Sequence, residues 1–507
     1  MALTSEVKAG LITGVATLIV GIATLNQALV GVFYDDGLYA GLATALTSGH
    51  GYVHPSLPGV PAAVHYPPLY PVVLAPFFGL MSVGGAALAG KVLNALFGAT
   101  AAGLIVWHAT RTEILGPGLR RWVPAAVVFG AAVAIPVLAT QSVLFAEPLF
   151  SVLLAVAIIA TDREFSPWIA GTAAALALLT RSIGVTIVAG ALCFLLARRG
   201  GAVGAGGAGG AQRHRLIIVL LLPLLAAVAW GLWVTTHARF IDPALALGYG
   251  NYSAHLRQAG LSAIAVNVPD MSRPLEALVF GWIPVRWLYD IIATIALGAG
   301  LYGLVVVSRR SAIGLALVFY FLVLAIWPHP PDRFLWAVLP WLGLVWVAGM
   351  LEIWRRWPRA RLAVGFLAAL VAGGYLHYEV RGFAGRWWEA QARAISANFA
   401  ELLPVVGNLP ADAVVATDDE ALVWLYTRRQ AVPLYLESYR GRELIRPTPA
   451  EHRAYLERMG VTHVLLASAT SPSAIELRAL LGAYPAWLTG IYRWSDGRWL
   501  FAVNRGP

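Results

Sequence analysis

The sequence predicts an all-α polytopic membrane domain of about eleven transmembrane helices, followed by a small C-terminal α/β domain. Three observations predict it. Apolar runs of about twenty residues recur along the first three quarters of the chain, the length that crosses a hydrocarbon core ~30 Å thick. Arginine clusters sit between these runs rather than within them. Past residue 385 the apolar runs stop, and short strand and helix signals separated by turns replace them. Composition agrees. Of the 507 residues, 59% are hydrophobic and 12% charged, about half the charged share of a soluble domain.

The formal net charge of +10 raises the question of nucleic acid, and its placement excludes that partner. The excess lies in Arg111, Arg120 and Arg121; Arg198 and Arg199; Arg213 and Arg215; Arg309 and Arg310; and Arg355, Arg356, Arg359 and Arg361. Short basic clusters between spans are what the positive-inside rule places in cytoplasmic loops. Cys193 is the sole cysteine, which excludes an internal disulfide and any cysteine-built metal site. Lys8 precedes an apolar stretch with no small-residue cleavage site after it, so the start reads as a retained first span.

The first span runs Ala9 to Phe33 and opens into a Pro- and Gly-rich outer loop, residues 34–69. Tyr70 to Leu88 and Val92 to Thr110 follow, with Lys91 between. If both crossed, every later arginine cluster would face outward, so the first is expected at the outer interface and the second across the membrane. The alternation is then regular. Trp122 to Leu144, Ala146 to Ala160, Trp168 to Thr180 and Ile183 to Leu196 lead to a Gly/Ala linker, Gly200 to Ala211. Leu216 to Thr235 leads to a long outer loop, residues 237–286. Trp287 to Val307, Ala312 to Trp327, Phe334 to Leu351 and Leu362 to Tyr378 complete the membrane domain, residues 1–385.

Residues 386–507 form the second domain, placed on the outer face. Asp412 to Thr417 and Val461 to Leu466 have the composition of strands, and Asp419 to Arg429 and Pro449 to Met459 that of helices. Tyr492 to Leu500 folds back at Asp496-Gly497 as a hairpin. Strands alternating with helices imply a compact α/β layer. No glycine-rich phosphate loop accompanies them, so nucleotide binding is not supported.

This topology gathers the ionisable residues of the outer loops on one face. Asp35 and Asp36 follow the first span. Glu147 lies at the outer turn before Pro148, Arg181 at the next, and His329, Asp332 and Arg333 at another. The first loop adds His50, His54 and His65. Charges at interfacial depth cost free energy unless paired or hydrated, so both signs on one face suit a reaction site. Plainer roles stand beside this: Asp36 can cap the helix beginning at Gly37, and Arg181 and Arg333 can reach toward headgroups. A sugar carried on a polyprenyl phosphate matches the charge set. Inverting transfer needs one carboxylate to take the acceptor hydroxyl's proton and cations for the departing phosphate. Asp35 suits the first role and Arg333 or Arg181, with His329, the second.

The residues Tyr34-Asp35-Asp36-Gly37-Leu38-Tyr39, then His65-Tyr66-Pro67-Pro68-Leu69-Tyr70-Pro71, resemble membrane glycosyltransferases of the GT-C type. The likeness is to the group containing protein O-mannosyltransferases and lipid A aminoarabinose transferases. It extends to Glu147 after the third span and to Arg333-Phe334 opening a late one. It implies Asp35 as catalytic base with Asp36 supporting it, and Glu147, His65 and Tyr66 positioning substrate. It also implies a polyprenyl-phosphate sugar donor, an inverting mechanism and a lipid, glycan or protein acceptor. The aminoarabinose transferases carry lysine where this chain has Tyr66, which speaks against that sugar. No cofactor is implied, and a divalent cation is left open. The expected setting is a plasma membrane, the bacterial inner membrane, with the active site and second domain extracytoplasmic. The alternative is a transporter or flippase of a lipid-linked sugar. Against it stand the absence of a repeat and the interfacial rather than midplane charges.

Overall fold

The first apolar run yields a shorter helix than its hydrophobicity suggests. The computed structural model describes residues 3–163, 165–200, 209–252, 256, 261–327, 330–436, 438–440 and 443–504, and in it this run is helical only over Ser5–Ala23. The expected span continued to Phe33. Asn26 and Gln27 interrupt the apolar run, and Gly31 has φ of +97°, which no right-handed helix accepts. Residues 26–34 are instead a folded loop.

Other boundaries move for similarly local reasons. The helix expected at the outer interface is Leu69–Leu80, and the following helix, Val83–Arg111, takes in Lys91 rather than starting after it. The Trp122–Leu144 run divides into Trp122–Ala132 and Ile135–Gln141, bent by 60°. The break is held by a carboxylate. The Ile135 amide, an orphan donor at a helix start, donates to Glu379 at 3.1 Å. The loop expected on the outer side contains a helix, Ile264–Phe280, despite Pro269 and Pro274.

Among the described residues, five helices are long and apolar enough to cross a membrane. They lie within Ser5–Ala23, Val83–Arg111, His214–Phe240, Arg286–Ser308 and Pro358–Gly407, and the bent pair makes a sixth. Leu69–Leu80, Pro167–Thr180, Ser182–Arg198 and Ala312–Ala325 are apolar but shorter.

The chain divides into two compact units. One comprises residues 1–25, 91–230 and 261–388, the other 26–90, 231–260 and 389–507. In the first, small residues bring helix backbones together, as in lipid-embedded bundles. A Cβ at Gly303 of Arg286–Ser308 would lie 2.0 Å from the Val345 carbonyl, and one at Gly349 of Leu339–Arg356 lies as close to Ala299 O, 2.1 Å.

The second unit holds the sheet. Its strands are β1 (Val414–Thr417), β2 (Gln430–Pro433), β3 (Ser438–Arg440), β4 (Glu443–Ile445), β5 (His463–Leu466), β6 (Leu488–Arg493) and β7 (Trp499–Val503). Five of them order as β2-β1-β5-β7-β6, and β3-β4 form a separate pair. β1 is parallel to β2 and β5, while β7 is antiparallel to β5 and β6. The hairpin at Asp496-Gly497 is present as β6–β7, with Gly497 at φ +85°. Helices Glu420–Thr427, Pro449–Arg458 and Pro472–Ala483 accompany the sheet. Thr448 and Glu451 close a capping box on the second of these.

Candidate active site

In the second unit, Asp35 is the first residue of the helix Asp35–Thr47. It is buried, and the Tyr66 hydroxyl donates to its Oδ1 at 2.5 Å. Tyr66 is itself held by packing: its ring lies 4.9 Å from that of Tyr39, which meets Tyr70 at 5.0 Å. The paired prolines Pro67-Pro68 lead directly into Leu69–Leu80, which fixes where Tyr66 can reach.

Asp36 points the other way, into its own loop. It accepts from Gly31 N at 2.8 Å and from Phe33 N at 2.9 Å. Its carboxylate closes the loop on itself and stands at the first turn of a helix, where the dipole favours negative charge. The loop is further tied by Leu29 N donating to Ser396 Oγ at 2.7 Å and Val30 N donating to the Tyr426 hydroxyl at 3.1 Å. Gly31 fits on two counts. Its positive φ favours glycine, and a Cβ there would sit 2.6 Å from Leu422 Cβ.

His65 is also buried, with Nδ1 2.7 Å from Gly250 O and its ring 4.3 Å from Tyr252. A carbonyl partner fixes Nδ1 as the protonated nitrogen. His54 packs edge-on to Tyr249, 4.7 Å between ring centroids. Burial, with His65 nearby, pushes its pKa down to about 3, so it is neutral at physiological pH.

The first unit holds the second set. Glu147 opens the helix Glu147–Asp162 and is almost fully buried. Both expected arginines reach it: Arg181 Nη1 forms an ion pair with Oε1, and Arg333 Nε lies 2.7 Å from the same atom. Arg181 is the C-cap of Pro167–Thr180, and Arg333 lies in the short helix Asp332–Trp336. Each guanidinium also lies over a ring, Arg181 over Phe334 and Arg333 over Phe145, both at 4.4 Å. Two guanidinium groups facing one carboxylate leave the trio net positive, a charge state that favours an anionic partner.

Of the expected residues, Asp35, Asp36, His65 and Tyr66 are thus drawn together in one unit, and Glu147, Arg181 and Arg333 in the other. His329 lies outside the described residues. Sequence reasoning missed Asn267. Its Nδ2 donates to the Leu324, Ala325 and Trp327 carbonyls, at 2.6 Å for the last, capping the end of the helix Ala312–Ala325. A lone asparagine in the otherwise apolar stretch Ile264–Val268 was the available signal. Among the described residues, no group of three or more His, Cys, Asp or Glu side chains is placed to hold a metal ion.

The sequence matches no family model and no curated protein. Solved structures do match. The chain is similar to ArnT from Cupriavidus metallidurans bound to undecaprenyl phosphate, with a TM-score of 0.54 and 14% identity over 97% of both chains. The fold is of the GT-C type. The archaeal oligosaccharyltransferase AglB from Archaeoglobus fulgidus, in complex with an inhibitory peptide and a dolichol-phosphate, agrees. Its TM-score is 0.51 and its identity 12%, over 99% of this chain and 74% of that one. The same oligosaccharyltransferase in complex with Zn and sulfate gives 0.52 and 12%, over 98% and 73%. At such identities the GT-C likeness concerns the fold, and roles rest on the side chains described above.

Proposed function

We propose that this protein is an inverting glycosyltransferase that moves a sugar from a polyprenyl-phosphate carrier to an acceptor hydroxyl at the extracytoplasmic membrane face. The observation that carries it is Asp35, a buried carboxylate at a helix start with one oxygen fixed by Tyr66, in a GT-C fold. Asp35 takes the proton of the acceptor hydroxyl. The acceptor oxygen bonds to the anomeric carbon from the side opposite the phosphate, and the bond from that carbon to the phosphate oxygen breaks. The polyprenyl phosphate departs with the electron pair. Arg181 and Arg333 stabilise its charge, and Glu147 holds both guanidinium groups in orientation. A pre-activated leaving group of this kind needs no acid to protonate it, which is why one carboxylate base suffices. Asp36 shapes the loop that presents Asp35, and Tyr66 and His65 line its surroundings.

The test is transfer by purified protein in nanodiscs, with undecaprenyl-phosphate mannose, glucose, galactose and aminoarabinose offered alongside a membrane extract as acceptor source. Removing a general base costs on the order of 10²–10⁴-fold. Transfer by the wild type with at least a hundredfold loss in Asp35→Asn is the expected result. Equal turnover in a folded Asp35→Asn would remove the assignment. Carrier flipping by both proteins, with transfer by neither, would support a transporter instead.

A further inference from the structure

Asp35 is presented by a strained turn. The Asp35 amide donates to the Phe33 carbonyl two residues back, at 2.6 Å, and Tyr34 between them has φ 60° and ψ −70°. That is a γ-turn of the positive-φ kind, rare and unfavourable for any residue with a side chain. Such strain persists only where surrounding structure over-determines it, and it concentrates at functional sites.

Two anchors hold the turn. One is Asp36, on the amides of Gly31 and Phe33. The other runs through the Tyr34 side chain. Its ring meets Tyr249 edge-on at 5.9 Å and the two hydroxyls interact. Gly248 leaves the space it needs, since a Cβ there would sit 2.2 Å from the Tyr34 hydroxyl oxygen. Tyr249 is wholly buried, and its hydroxyl donates to Oε1 of Glu420. Glu420 begins the helix Glu420–Thr427, the element that also lays Leu422 against Gly31 and Ala421 against Gly37.

Glu420 is an expensive residue to keep there. It is almost fully buried, and its Oε2 has no hydrogen-bond partner among the described residues. The titratable groups facing it are Tyr34, Tyr249, Tyr455, Asp418 and Asp419, with Asp36 beyond. These are tyrosines and acids, none of which offsets a carboxylate's charge. A packing role alone is better met by leucine or methionine.

We propose that Glu420, acting through Tyr249 on Tyr34, is a positioning residue that holds the strained turn in which Asp35 is presented. This rests on Asp35 being the base. The C-terminal domain thereby contributes to the reaction without touching the reacting atoms. Losing the anchor lets Tyr34 relax and turns Asp35 away from the acceptor, so the chemical step slows while the donor is still held.

The test has two arms on the full-length protein. Hydrogen exchange is read on the peptide spanning residues 30–37, and turnover is read on whichever undecaprenyl-phosphate sugar of the panel the wild type uses. Glu420→Ala and Tyr249→Phe should each raise exchange at that peptide about tenfold and lower kcat about tenfold, with donor KM within threefold. The double variant should lose no more than about twofold beyond either single, because residues on one path are not additive. Glu420→Gln keeps an oxygen to accept from Tyr249 and should restore both readouts to within threefold. Unchanged exchange in Glu420→Ala would overturn the proposal whether or not a donor is found, and so would losses that multiply in the double variant. Full turnover in Asp35→Asn with altered exchange in Glu420→Ala would instead overturn the assignment of Asp35 and keep the anchor.

Discussion

Glu420→Gln should stabilise the protein, and by an amount that depends on pH. Burial, with Asp418 nearby, pushes the Glu420 carboxyl up to about 7 from its ordinary 4.5. The sign follows from proton counting. Below 4.5 the carboxyl is protonated folded or unfolded and costs nothing. Between 4.5 and 7 the unfolded chain releases the proton while the folded chain keeps it, so stability falls as pH rises. Above 7 both forms are ionised and the loss levels off. At 1.36 kcal/mol per unit, a shift of that size is worth about 3 kcal/mol. Because Glu420 is almost fully buried, solvent screening removes little of it. Glutamine still accepts the Tyr249 hydroxyl and cannot ionise. The variant should therefore melt roughly 6–12 °C above wild type at pH 8, using the 2–4 °C per kcal/mol typical of a domain of 150–250 residues. At pH 5 the gap should shrink to about 2–3 °C. Differential scanning fluorimetry of both proteins in one detergent, across that range, measures it. A gap that is the same at pH 5 and pH 8, or that narrows as pH rises, would refute the reasoning.

Three further outcomes are expected. Asp36→Ala leaves the Gly31 and Phe33 amides without their acceptor and should cost about 2–4 kcal/mol. Asp36→Asn, with one carbonyl oxygen, should recover part of this in chemical denaturation, and an alanine variant as stable as wild type would count against the loop closure. Arg333→Lys keeps the charge but loses the planar group that meets Glu147 and lies over Phe145. Donor KM should rise about tenfold (~1.4 kcal/mol) with a smaller change in kcat, and an unaltered KM would take Arg333 out of donor binding. Gly349→Leu drives a side chain into the Ala299 carbonyl, whereas Gly373 has open space around it. Size-exclusion profiles should show Gly349→Leu largely aggregated and Gly373→Leu monodisperse.

The sequence carried the parts of the site that are locally unusual. Asp35 and Asp36 stand out because an acidic pair directly after an apolar run has few plain explanations. Glu147, Arg181 and Arg333 stand out because charges at span ends cost free energy. Their mutual ion pairs were not legible, since they join positions far apart in the chain. The anchor at Glu420 left no trace at all. Its partner Tyr249 is 171 residues away, and an acid at the start of a helix normally signals only the helix dipole. Hydrophobicity located the spans but not their interruptions. The bend at Val133-Ala134 lies inside an unbroken apolar run and depends on Glu379, while the helix Ile264–Phe280 was hidden by Pro269 and Pro274.

The unit that holds Asp35 is assembled from residues 26–90, 231–260 and 389–507. During synthesis its first segment therefore leaves the ribosome about 300 residues before its last, a delay of roughly 15–60 s at 5–20 residues per second. Through that interval the loop around Asp35 has neither Ser396 nor Tyr426 to fasten it, and for about its first half no Tyr249 either. A chain that stalls or is cut before residue 420 lacks both Glu420 and Tyr426, and with them the contacts that fasten the turn at Asp35. Residues 396–426, translated late, thus act as a checkpoint for the shape of the turn at Asp35.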